Sequence, residues 1–174
     1  MRTHGLGVVG LDLSTRGTAG VYLPPDWVPG DWDVPSFRIG YEAGKEDHTK
    51  HAERLHDIAV AAAQFVKAVR ARHVYAEDAI PAMTGSKPLT ELAGAVKAEV
   101  WRTCGIGVVP VNQSTARKYL MGKLPQKDRV LIVHQALKRL GCPWEDSDRG
   151  DALVIGSYGR TEHGLAGLLA YDAR

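Results

Sequence analysis

The stretch Gly10–Val21, GLDLSTRGTAGV, constrains this chain most. It reads as an apolar strand carrying a single acid, Asp12, then a turn of small residues, then a second strand. A carboxylate inside an apolar strand is costly to bury unless something pairs with it. Two kinds of protein open this way. One sets a nucleotide phosphate against the Ser/Thr/Gly turn; the other uses the strand acid to hold a metal. The remainder of the chain has to separate them.

Leu6 to Leu13 and Gly17 to Leu23 read as strands joined by the turn STR, and Ser36 to Tyr41 as a third. Between them, Pro24 to Pro35 is a loop by its prolines and glycine, with Trp27 and Trp32 to pin it. Leu55, Ile58, Ala59, Ala62, Phe65, Val66 and Val69 recur at helical spacing and predict a helix over 49–72. His73 to Asp78 is a fourth strand, 79–88 a loop, and 88–104 a helix with the stripe Leu89, Leu92, Ala93, Val96 and Val100. A Val-rich fifth strand covers 107–111. Ser114 or Thr115 is expected to cap a short helix through Leu120. A further helix spans 127–140 and stops at Gly141, and the last begins near Asp148 or Arg149. Three strands, helix, strand, helix, strand and helices make an α/β chain with a mixed five-stranded sheet, three antiparallel strands first and parallel crossovers after. With 174 residues, no repeat and no linker, one domain over 1–174 is expected.

No apolar run approaches the roughly 18 residues of a membrane span, and MRTHGLGVVG is no signal peptide, so a cytoplasmic protein is expected. Cys104 and Cys142 have no metal-ligand spacing and fit that compartment. The net charge of +2 says little, but its distribution says more. Arg117, Lys118, Lys123, Lys127, Arg129, Lys138 and Arg139 lie between Val111 and Glu145, opposed only by Asp128 and Glu145. Such a patch suits phosphates, and equally a solvated helix face.

Asp12 and Glu77 stand at the carboxyl ends of the first and fourth strands, where α/β sheets build their sites. Neighbouring strands would aim both into one crevice. Asp148 and Asp151, three apart, cluster at the start of the last helix. Singly, each acid has an ordinary role as turn cap, solvated strand end or helix-dipole charge. Together, four carboxylates in one crevice repel unless a cation joins them, and Mg²⁺ and Mn²⁺ are the hard cations such oxygens attract. Two metal ions can activate a water and stabilise the leaving oxygen of a phosphodiester.

The motif Gly-Leu-Asp12-x-Ser, a strand ending in Glu77, a basic segment with Lys127, and Asp148-x-x-Asp151-Ala152-Leu153 together resemble the RuvC-type Holliday junction resolvases of the RNase H-like superfamily, in order and spacing over nearly the whole chain. The resemblance implies an RNase H-like fold and a homodimer. It also implies Mg²⁺-dependent cleavage of four-way DNA junctions, with Mn²⁺ as substitute, leaving 5′-phosphate and 3′-hydroxyl ends. It makes Asp12, Glu77, Asp148 and Asp151 the metal ligands, two ions per site, and Lys127 a catalytic lysine. A second functional cation falls on Arg117 or Lys118, with Lys123 and Arg129 as further DNA contacts. Asp12-Leu13-Ser14 replaces the family's usual Asp-Pro-Gly, and Ile80 stands where an aromatic wedge is usual, leaving an aliphatic wedge. These departures suggest a divergent, phage-type branch. The helix carrying Leu89, Leu92, Val96 and Val100 is the family's dimer element, with Ala93, Lys97 and Trp101 on its other edge; the stripe also reads as plain core.

Three rival readings remain at this level. Actin-like ATPases and sugar kinases open with a similar loop but need a second phosphate motif, which is missing here. A metal-free DNA-binding relative would not need all four acids. A flap or fork endonuclease would share the same fold and site.

Overall fold

Strand parity organises this molecule around β1 (Val8–Asp12). Val9, Leu11 and Leu13 face one way and Val8, Gly10 and Asp12 the other, and all six are buried, because the sheet is covered on both faces. The structure, a computed structural model, describes residues 7–41, 48–78, 87–122 and 129–168, position 129 by its backbone alone. β1 pairs antiparallel with β2 (Gly17–Leu23), and β2 antiparallel with β3 (Ser36–Gly40). On its other side β1 pairs parallel with β4 (His73–Glu77), and β4 parallel with β5 (Val108–Val111). The order β3-β2-β1-β4-β5 is the mixed α/β sheet that the sequence predicts.

Helices α1 (His48–Ala68) and α2 (Lys87–Cys104) pack on each other and on one face of the sheet. Ile58, Ala62 and Val66 of α1 meet Leu92, Val96 and Val100 of α2 over Val9, Leu11 and Val74. The α2 stripe is therefore core. Ala93 belongs to that core as well, at 6% exposure, so it is not on the outer edge that the sequence suggested. Lys97 and Trp101 do lie outside, Trp101 at 64% exposure.

The other face carries α3 (Gln113–Met121), α4 (Arg129–Arg139) and α5 (Ser147–Thr161). Leu153 and Ile155 of α5, Leu120 of α3 and Leu137 of α4 close over Val8, Val21 and Leu23. The helix starts differ from expectation. Asn112 caps α3, its side chain accepting from the amides of Ser114 and Thr115, the residues expected to cap it themselves. Asp146 caps α5 by accepting from the Arg149 amide, so the helix begins at Ser147 and both Asp148 and Asp151 lie inside it. In each case the residue in extended backbone just before the helix makes the better cap.

α5 lies unusually close to β1. A Cβ added at Gly10 would sit 2.1 Å from the Ala152 carbonyl oxygen and 2.4 Å from the Gly156 nitrogen. Only glycine permits this approach. The loop 24–35 is pinned by buried Trp27, as expected, and by Arg160 of α5, which sequence reading did not single out. The Arg160 guanidinium lies over the Trp27 ring and donates to the carbonyls of Pro24, Pro25 and Trp27. Among the described residues no helix is long and apolar enough to cross a membrane.

Candidate active site

Register and parity place the acids. Gly10 stands opposite Tyr75 and Leu11 opposite Ala76, so the next step along the parallel pair brings Asp12 level with Glu77. Both have the parity of Val8 and Tyr75, which belong to the α5 side of the core. The start of α5 lies over that same end of the sheet and delivers Asp148 and Asp151. The charges of Glu77, Asp151 and Asp148 therefore act on Asp12, on the α5 face and at the carboxyl ends of β1 and β4.

Asp12 is 7% exposed, and its carboxyl is held well above the usual aspartate range. Burial is the main cause, followed by the charges of Asp151 and Glu77, a hydrogen bond with Glu77, and the charge of Asp148. Glu77 is raised too, chiefly by burial, although its bond with Asp12 and the nearby Arg117 pull the other way. Burial thus raises the proton affinity of both carboxyls, that of Asp12 the more strongly. Gln113, the first residue of α3, donates to Asp12 Oδ1 at 3.3 Å.

The α5 acids are engaged differently. Asp151, 6% exposed, is gripped by the buried Arg117 of α3, with Nε to Oδ1 at 3.1 Å and Nη2 to Oδ2 at 2.7 Å. Asp148 accepts from Arg38 Nε of β3 at 2.8 Å. So the four acids fall into a pair on the sheet with raised proton affinity and two arginine-held carboxylates on α5. Among the described residues no three Asp, Glu, His or Cys side chains are drawn together as a ready-made metal cage.

Helix phase separates Arg117 from Lys118: Arg117 points inward to Asp151 and Lys118 is exposed. The basic patch is not one surface either, since Arg117 is used internally and Lys138 bonds to Glu145. Ile80, Lys123 and Lys127 lie outside the described residues, and the side chain of Arg129 is likewise not described.

Sequence reading missed Arg38 and Gln113. Arg38 was findable in principle, because Asp12 pairs with Ala19 and Ala19 with Arg38, which puts the arginine in the same row of the sheet as the acid. That requires the register of two hairpins, and the 12-residue loop 24–35 between the strands hides it. Gln113 shows no pattern in the sequence.

RuvC of Thermus thermophilus superposes over 94% of this chain and 100% of its own, with a TM-score of 0.63 and 17% identity. The same protein in complex with a Holliday junction substrate superposes over 94% and 99%, with a TM-score of 0.66 and 15% identity. The fold is that of RuvC. A Holliday junction resolvase of fowlpox virus matches more loosely, at 14% identity over 91% of this chain and 99% of its own, with a TM-score of 0.48. No protein-family model and no curated protein sequence matches this chain. At these identities the likeness is one of fold. The RuvC-type architecture implied by the sequence motifs is the one observed.

Proposed function

We propose that this chain is a divalent-metal-dependent endonuclease for branched DNA, four-way junctions foremost, with Asp12, Glu77, Asp148 and Asp151 as its metal ligands. The observation that carries this reading is the state of Asp12. It is buried against Glu77 and Asp151, every neighbouring charge raises its proton affinity, and no cationic side chain among the described residues bonds to it. A folded protein keeps such an arrangement at a cost, and a cation is what relieves it. The all-oxygen donor set fits Mg²⁺, with Mn²⁺ as substitute, and four acids suffice for two ions. When bound, the ions supply a nucleophilic water and neutralise charge on the phosphate.

The chain's own residues have separate tasks. The paired strands hold Asp12 and Glu77 rigidly, and Gln113 orients the Asp12 carboxylate from α3. Arg117 positions Asp151 and offsets charge beside Glu77. Lys127 is assigned to the phosphate undergoing cleavage, where its cation stabilises developing charge. Lys118, Lys123 and Arg129 are assigned to the DNA backbone, and Ile80 to an aliphatic wedge at the branch point. Two symmetric incisions need two sites, which a C₂ homodimer supplies, and exposed Trp101 and Lys97 on the outer edge of α2 are the surface assigned to it.

The test is a substrate panel: a synthetic four-way junction with Mg²⁺, against linear duplex, flap and fork. Paired symmetric nicks that a ligase reseals are expected, since they carry 5′-phosphate and 3′-hydroxyl ends. Incision mainly of flaps would move the assignment to a flap or fork nuclease. Absence of metal-dependent incision on any branched substrate overturns the reading.

A further inference from the structure

Two guanidinium groups hold the acids at the start of α5, and they hold them differently. Arg117 is buried and bidentate on Asp151. Arg38 reaches Asp148 through Nε alone, with its side chain 48% exposed and that of Asp148 27% exposed. Arg38 stands on β3, an edge strand, in the cross-strand row Arg38–Ala19–Asp12, so its backbone is two strand spacings, about 10 Å, from that of Asp12. Its guanidinium rests on two glycines paired across β2 and β3. A Cβ at Gly17 would lie 3.2 Å from Nη2, and one at Gly40 would lie 3.3 Å from Nη1. Among the described residues, Nη1 and Nη2 have no hydrogen-bond acceptor, so the fork is open. Arg16 is exposed on the adjoining turn, and Arg54 of α1 binds that turn through the Thr15 carbonyl at 3.0 Å.

We propose that Arg38 is an exchangeable cation: it holds Asp148 in the DNA-free protein and passes to a backbone phosphate when a DNA strand enters, releasing Asp148 for the metal. This rests on the nuclease reading above and adds a residue and an order of events to it. The physical case is a competition. A half-exposed, single-bonded ion pair is weak and easily exchanged. A phosphate offers the same planar fork two oxygens and a charge-assisted bidentate contact. The buried Arg117–Asp151 pair has no such exit, since withdrawing either partner strands a charge. One α5 acid is therefore set permanently, and the other is set by the substrate.

Arg38→Met, Asp148→Asn and the double variant test this in the full chain. In DNA-free protein, Mn²⁺ binding followed by electron paramagnetic resonance should tighten about two- to fivefold in Arg38→Met, because a competing cation is gone. Metal-free binding of a four-way junction in EDTA should weaken in Arg38→Met, with its log–log salt slope reduced by about one. Asp148→Asn should bind the junction more tightly than wild type, and that gain should shrink in the Arg38→Met background, the signature of coupling between the two. Wild-type junction affinity and salt slope in Arg38→Met, or Mn²⁺ affinity that is unchanged or lower, overturns the proposal. If the wild-type protein itself neither binds nor incises branched DNA, the nuclease reading fails; if it does both and Arg38→Met matches it, the Arg38 assignment alone fails.

Discussion

Replacing Gly10 by alanine tests the link between core packing and the site. The added Cβ would lie 2.1 Å from the Ala152 carbonyl oxygen, 2.4 Å from the Gly156 nitrogen and 2.8 Å from the Gly156 Cα. All three are backbone atoms of α5, so no side chain can swing aside to relieve them. Ordinary contact begins near 3.4 Å, so β1 and α5 must part by about 1.3 Å. Ala152 is the residue after Asp151, so the displacement falls on the acid facing Asp12 and Glu77 and on its bidentate arginine. Overpacking of this kind costs about 1–3 kcal/mol. A misplacement near 1 Å in a catalytic constellation costs roughly 100-fold in rate. The assay pairs denaturant unfolding with single-turnover incision of a four-way junction in Mg²⁺, and junction binding in EDTA reports on the DNA surface. Gly10→Ala should lose stability and rate while still binding DNA. Gly156→Ala is the internal control: its Cβ meets the Gly10 nitrogen at 3.2 Å, a few tenths of an ångström too near, and alanine contributes about 1 kcal/mol of helix propensity in return. A Gly10→Ala protein with wild-type melting and rate, or a Gly156→Ala protein equally damaged, would refute the idea that this crossing positions the acids.

Other outcomes follow from the same contacts. Asp12→Asn should abolish incision and leave junction binding intact. It should also stabilise the metal-free protein at neutral pH. The folded Asp12 keeps its proton where the unfolded one loses it, so this group subtracts from stability as pH rises through and above the ordinary aspartate range, and the advantage of asparagine should fade by about pH 3 in unfolding measurements. Arg117→Met strands the buried Asp151 charge and should cost about 3–5 kcal/mol in chemical denaturation, with part recovered in the Arg117→Met/Asp151→Asn double variant. His73, stacked on His163 at 3.7 Å between ring centroids, has its proton affinity lowered by burial, then by His163 and Arg72. The unfolded chain thus takes up that proton first, and stability should fall as pH drops below about 6.5, with a shallower fall in His73→Phe by thermal melting.

The local grammar of this chain was legible without coordinates. Periodicity along Leu55–Val69 and Leu89–Val100, the prolines of the 24–35 loop and the Val-rich strands determined which segments are helix, strand and connection, because those properties depend on neighbours within a turn or two. The positions of the four candidate acids were legible as well, since each sits at a strand end or helix start. Tertiary structure alone decided which charges meet. Arg117 and Asp151 are 34 residues apart, Arg38 and Asp148 110, and Gln113 and Asp12 101. Their pairing rests on helix phase, on the register of β1, β2 and β3, and on the glycine contact that sets α5 close to β1. The sequence determined which acids are candidates for the site. Only the folded chain decided that two of them have raised proton affinity and two are held by arginines, because a carboxylate's state depends on burial and on the cations that the fold brings to it.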